Sequence, residues 1–295
     1  MNKLRHKLII GLYLLLVLQC ANAERVNNKI AYLAHVGNYW QVWVMNADGS
    51  QQRQVTDSKY DKSRISWYPD GVHLLINDNN GNLYKLNINT RESVEINLPI
   101  KGTLDASVSP DGHYIAFSLS VADSIDNNHI WIVNVDNNKL SKLTNMGGLQ
   151  HEPVWSSNQQ WIYFLSNTGS QSHDILRVSI DGKIKEQITS NNLYNFDISL
   201  SKKDKLAYSS NISGNYEIWI KQKNGNASQL TFNEGIDSRP TWSEDEKSIV
   251  FESFRKGTMN IYKMKINEKQ VQQLTFHKVG ARFPVWWSHS IEDKL

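Results

Sequence analysis

The sequence predicts an all-β fold, a six-bladed β-propeller closed by a C-terminal strand that completes the N-terminal blade. Three observations predict it. A short apolar-Thr ending recurs at near-constant spacing, each interval holds four short strand-like runs, and the chain begins and ends part-way through a repeat.

The ending occurs at Val55-Thr56, Leu143-Thr144, Ile188-Thr189, Leu230-Thr231 and Leu274-Thr275. Successive Thr residues lie 88, 45, 42 and 44 positions apart. The first interval is a double repeat whose middle copy has lost its Thr, and Val94-Glu95-Ile96 takes that place. Four short strands in a unit of about 44 residues is the pattern of a propeller blade.

The first run of each unit ends at a corner. The corners are Trp67-Tyr68-Pro69-Asp70-Gly71, Val108-Ser109-Pro110-Asp111-Gly112, Trp155-Ser156, Leu200-Ser201, Trp242-Ser243 and Trp286-Trp287-Ser288. The second run alternates apolar residues, as in Ile115 to Ser118 and Ile249 to Ser253. A polar turn with Gly or Asn follows, as at Asn80-Gly81 and Gly214-Asn215, where such residues accept positive φ. The third run carries an aromatic at Trp43, Tyr84, Trp131, Trp219 and Tyr262, with Leu176 the exception. No stretch sustains a 3.6-residue apolar period.

Trp67, Trp155, Trp242 and Trp286 recur at one repeat position and are expected to pack between blades, not to form a sugar-stacking platform. Trp40 and Trp287 do not recur and are expected to be exposed apolar contacts. The chain enters at a second run (Ile30) and finishes on a first run (Arg282 to Trp287). The last strand therefore completes the first blade, which leaves no open sheet edge, and a monomer is expected.

Residues 1–23 read as a signal peptide. Lys3, Arg5 and Lys7 precede an uncharged run from Leu8 to Leu18, and Ala21-Asn22-Ala23 is a small-x-small cleavage site. The run is shorter than the ~20 residues that span a bilayer, so no transmembrane segment is expected in the mature form. Cleavage after Ala23 leaves residues 24–295 as one propeller domain, periplasmic or secreted. Cys20, the only cysteine, raises lipidation as an alternative, but a lipobox wants a small residue where Gln19 stands. Without the leader, Lys+Arg falls from 32 to 29, equal to the 29 Asp+Glu. A neutral mature chain argues against a nucleic-acid partner.

Chemistry-bearing motifs are sparse. The sequence contains no Gly-x-Ser-x-Gly elbow, no His-Glu-x-x-His helix and no phosphate-binding glycine loop. Aligning the corners places Arg64, Asp105, Glu152, Asp197, Arg239 and Phe283 at one position near the start of the innermost strands, with His151 and Arg282 one place further out. Six-fold geometry brings these onto the rim of the central channel. A mixed-charge rim suits capture of a polar peptide or protein loop. The same charges are equally suited to pairing across the channel. His151 and Glu152 are adjacent on a strand and point to opposite faces, so no metal and no cofactor is expected there. The turns Asp57 to Asp61 and Asp123 to Asp126 lack the spacing of a calcium loop.

The repeats resemble the TolB-type (PD40, WD40-like) propeller repeat. The family pattern runs Pro-x-Trp-Ser-Pro-Asp-Gly, then Ile-x-Phe-x-Ser, then Asp-x-Asp-Gly, then Leu-Thr. Arg239-Pro240-Thr241-Trp242-Ser243, Ile249-Val250-Phe251-Glu252-Ser253 and Leu274-Thr275 follow it, as does Asn46-Ala47-Asp48-Gly49. In that family an α/β domain precedes the propeller, whereas here the repeats start within a few residues of the expected cleavage site. The resemblance implies a periplasmic propeller whose channel mouth binds an envelope protein or lipoprotein. Two other readings are a carbohydrate-active propeller lyase or hydrolase using His151, Glu152 and rim arginines, and a periplasmic sensory propeller.

Overall fold

Lys29 pairs with Trp287 and Ala34 with Ala281, so the C-terminal strand Ala281–Trp287 lies antiparallel to Lys29–Val36 and completes the blade begun by the N-terminal strands. The computed structural model describes residues 28–120, 128–167, 172–190, 193–222 and 225–287. Among these, 24 strands form six four-stranded antiparallel sheets, and no helix occurs. Blade 1 combines Ala281–Trp287 with the strands from Lys29 to Gln54, and blades 2 to 6 are each continuous in sequence. Their innermost strands are Lys62–Trp67, Leu104–Val108, Gln150–Trp155, Asn195–Leu200 and Asp237–Trp242. Neighbouring inner strands touch all round the ring, which closes between blades 6, 1 and 2.

The recurring Thr has a structural task. Its hydroxyl accepts the N–H of Val42 (Thr56), Ile130 (Thr144), Ile175 (Thr189), Ile218 (Thr231) and Ile261 (Thr275), each at 2.8 or 2.9 Å. In four of these blades it also donates to a side chain near the start of the third strand: Gln41, Asp174, Glu217 and Asn260. One hydroxyl thus ties the fourth strand to the third where the ladder ends and backbone groups lack partners. Blade 2 lacks this Thr and has the longer fourth strand Ser93–Ile96 instead.

The apolar core lies between blades. Leu33 and Val42 of blade 1 pack with Ile65 and Leu74 of blade 2, and Ala116 and Ile130 of blade 3 pack with Trp155 and Phe164 of blade 4. The corner tryptophans belong to this layer. The indole N–H of Trp67 donates to Val285 O (3.0 Å), that of Trp155 to Ser107 O (3.2 Å) and that of Trp242 to Ser199 O (3.4 Å). Each bond crosses to the inner strand of the preceding blade, so burial and a hydrogen bond act together.

Trp287 is not the exposed contact that its lack of recurrence suggested. It is only 3 % exposed, and its ring lies over Gly71. A Cβ on Gly71 would sit 2.4 Å from that ring. Trp287 fills the seam between blades 1 and 2 beside Trp67, at a centroid distance of 6.5 Å. Trp40 is half-buried. The leader, Cys20 and Asp123 to Asp126 lie outside the described residues.

Candidate functional site: the channel mouth

The inner strands begin at one face of the ring and end at the other. The chain ends of the propeller, Lys29 and Trp287, lie at the second face. The sequence-aligned rim residues lie at the first, the mouth face.

Each inner strand slips its pairing near the rim position. In five blades the rim residue itself has positive φ: Asp105 (55°), Glu152 (52°), Asp197 (59°), Arg239 (53°) and Phe283 (55°). Non-glycine side chains resist this conformation, and its repetition at one position marks a β-bulge that the fold enforces. In blades 3 to 5 the bulge aims the rim carboxylate at the next blade. Asp105 Oδ2 accepts the N–H of Glu152 (3.4 Å), Glu152 Oε2 that of Asp197 (3.1 Å), and Asp197 Oδ2 that of Arg239 (3.4 Å).

Arg239 cannot accept a hydrogen bond, and Glu252 on the second strand of the same blade replaces it. Glu252 Oε2 accepts the N–H of Phe283 (2.9 Å), while Oε1 accepts from Arg239 Nε (3.1 Å) and Ser238 Oγ (3.0 Å). Serines hold the equivalent position in blades 3 and 5. Ser118 and Ser209 donate to the rim carboxylates of Asp105 and Asp197, at 3.4 and 2.6 Å.

The predicted rim residues separate into three groups. Arg64, Asp105, Glu152, Asp197 and Arg239 form one charge network. The guanidinium of Arg64 lies 4.0 Å from Asp105 and 3.8 Å from Glu152, and that of Arg239 lies 3.1 Å from Asp197. Arg239 also stacks on Phe283, 3.6 Å from the ring centroid. The network borders a cavity of about 190 Å³ in the channel, which Ser66, Ser107, Ser199 and Thr241 also line.

Burial pushes the Glu152 carboxyl up to about 7, with Asp197 adding and Arg64 opposing. Burial likewise raises Glu252 against the pull of Arg239. Burial opposes the charge of Arg239, but Asp197 and Glu252 outweigh it and hold its pKa above the usual value.

His151 leaves the network. Its ring meets His173 edge-on at 5.4 Å, the start of an aromatic row continuing through Tyr194, Phe196 and Tyr216. Burial lowers its pKa to about 4, with Asp105 opposing and His173 and Arg64 adding. The imidazole is therefore neutral near pH 7. Arg282 turns the other way and stacks on Trp40, 3.9 Å from the ring centroid. Among the described residues, no group of three or more His, Cys, Asp or Glu side chains is arranged to hold a metal.

An apolar crescent beside the mouth escaped the sequence reading. Ile212, Phe232, Ile236, Phe254, Phe276 and Val279 are all exposed, Phe232, Phe276 and Val279 to 66 % or more. All six lie on mouth-face turns or on the connections entering blades 6 and 1. The available signal was a Phe directly after Leu-Thr in two consecutive repeats, Phe232 and Phe276.

Solved structures that share this architecture include the following three. TolB from Acinetobacter baumannii is 21 % identical, with a TM-score of 0.79 over 89 % of this chain and 67 % of that one. A putative TolB from Agrobacterium tumefaciens is 19 % identical, with a TM-score of 0.72 over 84 % and 88 %. An oligogalacturonate lyase in complex with manganese is 12 % identical, with a TM-score of 0.61 over 85 % and 74 %. These likenesses concern the fold. At the level of sequence, the TolB beta propeller domain matches residues 25–206 and 200–290, and the chain belongs to that family.

Proposed function

We propose that the chain is an exported, periplasmic protein-binding module that docks an envelope protein or lipoprotein on its channel-mouth face. The observation that carries this reading is the crescent. Six exposed large apolar residues on one side of one face, next to a buried and internally paired charge network, have the composition of a docking surface. The charge network supplies a rigid frame and the crescent supplies contact area. Family membership and the leader-like N-terminus support the same reading.

Photo-crosslinking in cells tests it. A photoreactive residue at Phe276 or Phe232 should capture one discrete partner. The same residue at Ile184, exposed on the opposite face, should capture none. With the photoreactive residue moved to Val279, which is exposed on the same crescent, Phe232→Asp with Phe276→Asp should abolish capture without lowering the melting temperature. Equal capture from Ile184, or capture that survives the double substitution, would overturn the reading. Export is checked by intact mass, with a mature chain beginning at Glu24 expected.

A further inference from the structure

Arg282 is a cation without a counter-ion. No ion pair involves it among the described residues, and its Nε is buried with no hydrogen-bond partner. Burial opposes its charge, as does Arg239, while Glu252 and Asp61 offset this only from beyond ion-pair distance, Glu252 being held by Arg239 and Phe283 and Asp61 accepting the N–H of Trp40. A guanidinium stays charged in a protein, so this site keeps a desolvated positive charge facing open space.

That space is a pocket of about 480 Å³ between blades 6 and 1. Trp40 supports the guanidinium from one side. Lys278, a second cation in no ion pair among the described residues, lines the pocket with Phe254, Met259, Val279 and Phe283. Phe254 and Val279 also belong to the apolar crescent, so the pocket opens directly onto it. The one carboxylate in the lining, Glu252, is already held by Arg239, which leaves the accessible charge positive.

We infer that this pocket reads an acidic side chain in the docked partner: an Asp or Glu flanked by a large apolar residue, in an extended segment lying across the crescent. The inference rests on the proposed docking function and specifies its ligand. Arg282 presents a planar fork that matches a carboxylate, Lys278 adds charge at the edge, and Phe254, Val279 and Met259 take the neighbouring apolar side chain. Charge complementarity selects this occupant over an uncharged apolar segment.

Selection from a random dodecapeptide display library against the mature protein tests it. Recovered peptides should carry Asp or Glu next to Phe, Leu, Ile or Met. In the tightest of them, Glu→Gln (or Asp→Asn) should weaken binding about tenfold or more, the effect of one charge-assisted hydrogen-bonded contact. Arg282→Met should remove that difference while keeping the apolar preference, and Arg282→Lys should retain part of it. If Arg282→Met proves unstable, a photoreactive residue at Phe254 in otherwise unaltered protein provides the second readout. It should crosslink the acidic peptide and largely miss its amide counterpart. Peptides that bind without an acidic preference would overturn this inference and leave the docking face standing. An acidic preference that survives in folded Arg282→Met, or recovery of no peptide, would also overturn it.

Discussion

Arg239 and Asp197 bond to each other twice. Asp197 Oδ2 accepts the Arg239 backbone N–H at 3.4 Å, and the Arg239 guanidinium returns to Asp197 Oδ1 at 3.1 Å. The same guanidinium bonds Glu252 at 3.1 Å, and both carboxylates are below 10 % exposed. One cation therefore neutralises two buried anions that clamp blades 5, 6 and 1 together. Arg239→Met leaves both unpaired and should cost about 3–5 kcal/mol in urea denaturation. Adding Glu252→Gln should recover part of that loss, because one buried charge is then removed. A cost below about 1 kcal/mol would mean that water already screens the pair.

Thr231 bridges strand and carboxylate in blade 5. Its hydroxyl accepts the Ile218 N–H at 2.9 Å and donates to Glu217 Oε2 at 2.6 Å. Thr231→Val keeps the shape and removes both bonds. It should destabilise the protein by about 2–3 kcal/mol, whereas Thr231→Ser, which keeps the hydroxyl, should cost less than about 1 kcal/mol. Chemical denaturation of the two variants side by side separates the hydroxyl from the packing.

These bonds explain what was legible in the sequence. The Thr spacing counted the blades because a hydroxyl is needed at that place in nearly every one, and Trp67, Trp155 and Trp242 followed the repeat because each reaches across to the preceding blade. The rim aligned correctly as a position, but its partners did not emerge. A bulge made by Asp, Glu, Arg and Phe leaves no glycine or asparagine to mark its positive φ. Arg64 and Arg282 are the same residue type one repeat place apart, yet one pairs with carboxylates and the other stacks on Trp40. Glu252 alone left a trace, as an acid in the apolar run Ile249-Val250-Phe251. Trp287 was misplaced because its partner, Gly71, belongs to a repeat at the far end of the chain and meets it only on ring closure.

That closure is testable at Gly71. Its φ is +63°, and a Cβ would overlap the Trp287 ring. Gly71→Ala should lower stability by about 2–4 kcal/mol, combining left-handed strain with overpacking at the seam. Gly37 is the control. Its φ is +60°, but nothing lies within 4 Å of the place an added methyl would take, so Gly37→Ala should cost only about 1–2 kcal/mol. Equal losses in thermal melts of the two variants would show that the seam yields to the extra methyl.

His151 sets a pH dependence at the mouth. Burial lowers its pKa to about 4, against an ordinary value of 6.5, so the unfolded chain binds this proton more readily than the native state. The groups facing it add to both sides of the balance: His173 and Arg64 oppose protonation, while Asp105 and Asp197 favour it. Stability from a neutral His151 is therefore fully present above pH 6.5 and is lost as pH falls toward 4. By pH 4 the loss should approach roughly 3 kcal/mol from this residue. Glu152, raised by burial, has the opposite slope: its native form holds a proton more tightly, so it favours the fold at low pH and less so as pH rises through about 7. His151→Asn removes the first contribution and leaves the second. The variant's melting temperature should therefore fall less than the parent's between pH 6.5 and 4, by a margin of several degrees. Parallel curves for the two proteins would show that His151 is protonated in the native state and that its edge-on contact with His173 does not exclude the charge.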